Sequence, residues 1–235
     1  MQEQSTDAIA APRSAPRSAE PAVPKMRVAW ARYQYSGQRA DALPEVSFAV
    51  PNGGCVAVVG PARSGKTTLL RLLRGQLEPT SGTIEFDGSD GWRLDPMVRH
   101  RIALVPTEGM LSDASVARNI ALDRPSATRA DVVAAAGSCG ASGFIDLLPQ
   151  GYSTRLGAGG YRLTEGQRRR ILLARALVTR PEVMLLDEPT AGLRSRERHE
   201  LIGELCRLVI GHTMVVATQD PLVIALADDV VRLGS

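Results

Sequence analysis

The sequence predicts an α/β fold: a mainly parallel sheet with helices on both faces, an antiparallel side sheet and an inserted helical subdomain. Two observations predict it. From residue 26 onward, apolar runs of strand length alternate with helical patterns, the arrangement that builds a parallel sheet. One of those runs, Val56-Ala57-Val58-Val59, leads into Gly60-Pro61-Ala62-Arg63-Ser64-Gly65-Lys66-Thr67 and then an amphipathic stretch, Thr68 to Leu73. A buried strand, a glycine-rich turn and a helix in that order make a phosphate cradle of the form G-x-x-x-x-G-K-[ST].

The remaining elements follow along the chain. Residues 1–25 are rich in Ala, Pro, Ser and Arg, with Ala-Pro-Arg-Ser repeated at 11–14 and 15–18. Such a segment buries little and is expected to be disordered, with order beginning near Met26. Val28 to Tyr35 and Val46 to Val50 read as strands of the side sheet, with a turn between them. Gly82 to Gly88 is a short strand and turn, and Ile102 to Val105 a further strand. From Ser115 to Arg180 the pattern is helical, broken at Pro125, Gly140 and Gly157–Gly160. It predicts a helical subdomain over about residues 108–178 of a domain spanning 26–235. Val183 to Leu186 is a buried strand, 195–209 a helix and Met214 to Ala217 a strand, before a last short helix and strand.

The phosphate cradle defines a P-loop NTPase core. Its glycines let backbone N–H groups converge on a polyphosphate, and the helix N-terminus adds a partial positive charge. Lys66 would reach the β- and γ-phosphates, and the Thr67 hydroxyl would hold Mg²⁺. The chain has two lysines, Lys25 and Lys66, against 26 arginines. In a chain that prefers arginine so strongly, a compact ammonium inside this loop has a reason that a planar guanidinium would not meet. Val183-Met184-Leu185-Leu186-Asp187-Glu188 puts two carboxylates at the C-terminal end of a buried strand, the sheet edge where ligands bind. Asp187 would hold Mg²⁺ through water, and Glu188 would polarise an attacking water.

Composition narrows the class. A net charge of +3 is small, and the Arg168-Arg169-Arg170 cluster reads as a solvated helix face or a nucleotide-side patch rather than a nucleic-acid surface. No apolar run approaches the roughly 18–20 residues of a membrane-spanning helix. No basic segment precedes an apolar core near the N-terminus, so no secretory signal is expected. Cys55, Cys139 and Cys206 are widely spaced and odd in number, which favours buried free thiols over a metal site or a disulfide.

Over residues 26–235 these features resemble the nucleotide-binding domain of ABC transporters. Leu163-Thr164-Glu165-Gly166-Gln167 stands in place of that family's signature, LSGGQ, before an Arg-rich helix and twenty residues ahead of Asp187. Tyr35 lies 25 residues before the phosphate loop, where the family places an aromatic that stacks on adenine. The stretches Ser115 to Leu122 and Phe144 to Tyr152 are similar to the exporter branch. The resemblance implies a nucleotide site formed by Tyr35, Gly60 to Thr68 and Mg²⁺ on Thr67 and Asp187. It implies Glu188 and Gln219 as catalytic positions and residues 163–167 as a signature acting on a second ABC domain's ATP. It further implies a transmembrane partner and a cytoplasmic location on the inner face of the membrane. Nucleic acid is not an implied partner, because the relatives that bind it carry a coiled-coil insertion or a second cassette. The exporter branch's membrane domain is absent here, so the chain is either a free-standing subunit or a piece of a longer protein.

Several positions depart from the family pattern. Thr107 follows Val105-Pro106 where the family has a glutamine that contacts Mg²⁺, and Gln219 follows Thr218 where it has a histidine. Arg194 follows Ala191-Gly192-Leu193 where it has an aspartate. The signature carries Thr164 for Ser and Glu165 for Gly. Thr164 and Gln219 keep hydrogen-bonding ability. Glu165 is more consequential: two like charges about 4 Å apart repel by roughly 4 kcal/mol at an effective dielectric near 20. The alternative is that Glu165 turns outward onto Arg168 or Arg169 along the helix. The implied function is therefore an ATPase subunit of an exporter with attenuated hydrolysis, or a catalytically weak regulatory subunit paired with an active one.

Overall fold

A computed structural model describes residues 24–37, 40–90, 95–157 and 159–234. The expected disordered tail lies outside the described residues except for its last two positions. Among the described residues, eight strands fall into two sheets. The larger is wholly parallel in the order β5–β6–β7–β3–β8, built from β3 (Cys55–Val59), β5 (Ile102–Val105), β6 (Val183–Asp187), β7 (Thr213–Ala217) and β8 (Asp229–Arg232). β6 and β7 are buried along their whole length and β3 at all but its last residue, because helices cover both faces, and so they read as apolar runs. The smaller sheet is antiparallel, β2–β1–β4, from β1 (Met26–Tyr33), β2 (Leu43–Val50) and β4 (Ser81–Phe86). The fold class read from the sequence is the one observed.

Eight α-helices are described: α1 (Lys66–Leu73), α2 (Pro96–Arg99), α3 (Val116–Ile120), α4 (Arg129–Ser138), α5 (Ser142–Ile145), α6 (Glu165–Val178), α7 (Ser195–Val209) and α8 (Pro221–Ile224). Helix α1 presents Leu69, Leu70, Leu72 and Leu73 to a core shared by both sheets. A second core joins the other face of the parallel sheet to α3–α7. Helix α6 is the pillar of that second core and packs on α3, α4, α7 and β5. Arg175 on α6 and the fully buried Asn119 on α3 tie the loop before α3 to it: the Arg175 guanidinium donates to both oxygens of Asn119 and to the Met110 carbonyl. The short α2 carries no periodic signal, only an Asp95 cap followed by proline, and the sequence reading omitted it. Among the described residues no helix is long and apolar enough to cross a membrane.

All strands of the large sheet run the same way, so their C-terminal ends share one edge. The loops leaving β3, β5, β6 and β7 there carry Gly60 to Gly65, Pro106-Thr107, Glu188 and Thr218-Gln219. This edge is where an open α/β sheet binds its ligand.

Candidate nucleotide site

The loop leaving β3 is shaped by two glycines. Gly65, which caps α1, has φ +96°, and a Cβ there would lie 2.5 Å from the Ala42 carbonyl oxygen. A Cβ on Gly60 would meet the Leu233 carbonyl oxygen at the same distance. A side chain at either position would force the neighbouring backbone to shift. Helix α1 has no side-chain cap, so its first N–H groups remain available to a ligand. The Ser64 hydroxyl is buried within the loop without a protein partner. An orphaned donor beside free helix N–H groups is what an anion site supplies.

Lys66 is 7% exposed. Its ammonium donates to the Gly60 carbonyl (2.7 Å) and the Pro61 carbonyl (3.1 Å), and lies 3.5 Å from Glu188 Oε1. The Thr67 hydroxyl donates to Asp187 Oδ2 at 2.8 Å. Phosphate loop and carboxylate pair therefore meet, as the sequence reading expects. Thr67 and Asp187 offer hard oxygen donors of the kind Mg²⁺ takes beside phosphate oxygens, so this donor set fits that ion. Thr107 points its hydroxyl at the Asp187 main-chain carbonyl (3.0 Å). Glu188 has φ +44°, in the left-handed region that costs a non-glycine residue about 1–3 kcal/mol. Its N–H donates to the Ala217 carbonyl (2.8 Å), which fixes the turn against β7. Gln219 is exposed and reaches Glu188 Oε2 through its backbone N–H (3.3 Å).

Asp220 completes this corner, and sequence reasoning missed it. Its carboxylate accepts the Arg198 fork at 2.5 and 2.6 Å, the Thr190 hydroxyl at 2.8 Å and the Leu222 N–H at 3.0 Å. Arg198 foremost holds its pKa down to about 2. The residue thus binds the Gln219 loop, the loop after Glu188 and α7 together. Asp before Pro221 is a helix N-cap signal, but the two long-range partners leave no trace in sequence.

Tyr35 is half-buried, with its hydroxyl 3.5 Å from Thr68 Oγ1 and its ring edge-on to Tyr33 at 4.8 Å between centroids. The structure thus places Tyr35 beside the first turn of α1.

Residues 163–167 span the start of α6. Thr164 caps the helix: its hydroxyl accepts the Gln167 N–H (3.2 Å), and the Gln167 side chain accepts the Thr164 N–H (3.0 Å). Glu165 accepts from Arg168 Nε (2.9 Å) and Nη2 (2.7 Å), and from Arg169 Nη2 (3.4 Å). Arg168 pulls its pKa below the ordinary carboxylate range. The structure takes the alternative in which Glu165 pairs along its own helix.

Two readings need correction. Arg168–Arg170 do not form a solvated face: Arg169 and Arg170 are buried. Three consecutive residues span about 200° of a helix, and α6 is packed nearly all round. Carbonyls and Glu165 receive Arg169, and Glu200 receives Arg170. Of the cysteines, Cys55 and Cys139 are buried as expected, whereas Cys206 is exposed on the outer side of α7.

Fold and site together define a P-loop nucleotide-binding domain, and comparisons with known proteins place it more closely. The family model described as ABC transporter matches residues 43–191, more than half of the chain. The cyclolysin secretion/processing ATP-binding protein CyaB of Bordetella pertussis is 39% identical over 200 residues, covering 85% of this chain and 28% of that protein. The ATM1-type heavy metal exporter of Novosphingobium aromaticivorans is 36% identical over 176 residues, 74% of this chain and 29% of the relative. A solved bacterial Atm1-family ABC exporter with ATP bound superposes with a TM-score of 0.79 at 32% identity, over 90% of this chain and 38% of that one. The chain belongs to the ABC transporter family, as a nucleotide-binding domain of its exporter branch. It spans under a third of the length of these two curated relatives.

Proposed function

We propose that the chain is the ATP-binding and ATP-hydrolysing part of an ABC exporter. It would work on the cytoplasmic face of a membrane through a transmembrane partner, with a second ABC domain completing two composite ATP sites. One observation carries the reading: Lys66, Thr67, Asp187 and Glu188 converge at the C-terminal edge of the parallel sheet. Gly60 to Thr68 would cradle the phosphates, Lys66 would neutralise the β- and γ-oxygens, and Tyr35 would pack on the base. Thr67 and Asp187 would hold Mg²⁺, which supplies charge neutralisation on the phosphate oxygens. Glu188 would orient the attacking water and take its proton, and the Gln219 backbone N–H would hold that carboxylate in place. Residues 163–167 would face the partner's ATP. The helical block at about 108–178 would be the subdomain that carries this signature, within a domain spanning 26–235.

A second reading, a weakly catalytic regulatory subunit beside an active partner, draws on Thr107 and Glu165. Thr107 commits its hydroxyl proton to the Asp187 carbonyl, and Glu165 puts a carboxylate at the helix start. Both readings predict slow turnover by the chain alone. Steady-state phosphate release tests them. Glu188→Gln lowers the rate by about 10²–10⁴-fold, and Gln219→His raises it above the parent. A rate unchanged in Glu188→Gln removes Glu188 from the chemistry.

A further inference from the structure

Arg169 is buried to 1% exposure, yet its guanidinium is loosely held. Nη1 donates to the Pro106 carbonyl at 3.3 Å, and Nη2 to the Ala191 carbonyl and to Glu165, both at 3.4 Å. Nε makes no hydrogen bond to the protein. Charge-assisted bonds ordinarily settle near 2.7–2.9 Å. A desolvated cation with long contacts, whose one hydrogen-bonded carboxylate is shared with Arg168, gains when its acceptors draw closer.

Each partner segment carries one part of the site. Pro106 precedes Thr107, whose hydroxyl sits on the Asp187 carbonyl. Ala191 closes the turn that begins at Glu188, its N–H on the Glu188 carbonyl at 3.1 Å. Glu165 opens α6. The geometry also offers a route from the phosphate loop. Lys66, the group a phosphate engages, lies 3.5 Å from Glu188. A phosphate on Lys66 competes with the Glu188 carboxylate for its ammonium, at the head of the turn that ends at Ala191. Arginine suits the task, because its planar fork reaches acceptors in several directions where a lysine offers one point charge.

We propose that Arg169 is a positioning residue, a slack clamp joining the Thr107 segment, the turn after Glu188 and the first turn of α6. It tightens when a nucleoside triphosphate fills the phosphate loop, and so carries occupancy of that loop to the N-terminus of α6. The inference rests on the nucleotide reading of the Lys66 site.

Amide hydrogen exchange on the full chain tests it, in wild type, Arg169→Met and Arg169→Gln, first without ligand and then with adenylyl-imidodiphosphate and Mg²⁺. Without ligand, both variants exchange at least about tenfold faster at 107–109, 163–166 and 190–192 together, while the phosphate loop exchanges as in wild type. With ligand, wild type gains protection at the phosphate loop and at 163–166; the variants gain it at the phosphate loop alone, with affinity within about threefold of wild type. Equal protection at 163–166 in the variants overturns the clamp, as do ligand-free segments that respond independently. Should Arg169→Met fail to fold, Arg169→Gln decides by the same criteria. Wild type without protection at the phosphate loop instead overturns the nucleotide reading and the transmission built on it, and the ligand-free comparison then decides the clamp.

Discussion

Thr67 and Asp187, 120 positions apart in the chain, are joined by a hydrogen bond of 2.8 Å from the threonine hydroxyl to the carboxylate. The bond fixes the first turn of α1 against the end of β6. It therefore holds the phosphate loop and the acidic strand end in one geometry before any ligand arrives. Preorganisation of this kind removes a cost that binding would otherwise carry.

The Asp220 corner makes a stability prediction with a definite pH window. The carboxylate is held at about pKa 2, below the roughly 3.9 of an unfolded aspartate. A depressed folded-state pKa contributes stability above the unfolded value and loses it as pH falls through the folded one. Asp220→Asn is expected to cost about 1–3 kcal/mol near neutrality, by loss of the Arg198 and Thr190 bonds. Denaturant titrations should show a constant gap from wild type between pH 7 and 5, narrowing below about pH 4. A gap that stays level to pH 2 would show that the charge of Asp220 contributes nothing.

Glu165 links two effects. Its removal leaves Arg168 and the buried Arg169 without their shared carboxylate, and it also takes a negative charge from the helix start. Glu165→Gly is expected to lower stability by about 1–3 kcal/mol. In a Glu188→Gln background it should nonetheless dimerise more readily with ATP, with the difference from parent growing at low salt. Light scattering with and without MgATP measures this. Equal dimerisation in the two proteins would mean that Arg168 already neutralises Glu165.

The thiols should separate cleanly. Burial pushes the Cys55 thiol up to about 12 and raises Cys139 further, whereas Cys206 is exposed. A thiolate-selective reagent on the folded chain should label one cysteine at pH 8, and all three after unfolding. Rapid reaction of a second thiol in the folded chain would contradict the burial.

Much of the site was legible because its signals are local. An apolar strand, a fixed glycine spacing and a lysine are contiguous at 56–67, and Asp187-Glu188 directly follows a buried run. Helix α7 has the predicted bounds, since one face carries Leu201, Leu205 and Leu208 at helical spacing. The rest depends on partners distant in sequence. Asp220 meets Thr190 and Arg198 only after α7 and β7 have folded back. Arg169 reads as part of a solvated helix face or a nucleotide-side patch until α6 is seen packed on nearly every side. Thr164 and Gln167 do form a capping box with a recognisable T-x-x-Q spacing, a local signal that the signature reading passed over.

The central claim is that the loop from Gly60 to Thr67 binds MgATP through Lys66. The direct measurement is equilibrium titration of wild type and Lys66→Ala with a fluorescent ATP analogue in Mg²⁺, alongside a thermal melt of each protein. Loss of a charge-assisted bond of about 1.5–3 kcal/mol should weaken binding by roughly 10–100-fold while the variant stays folded. Equal affinity in the two folded proteins would contradict the account.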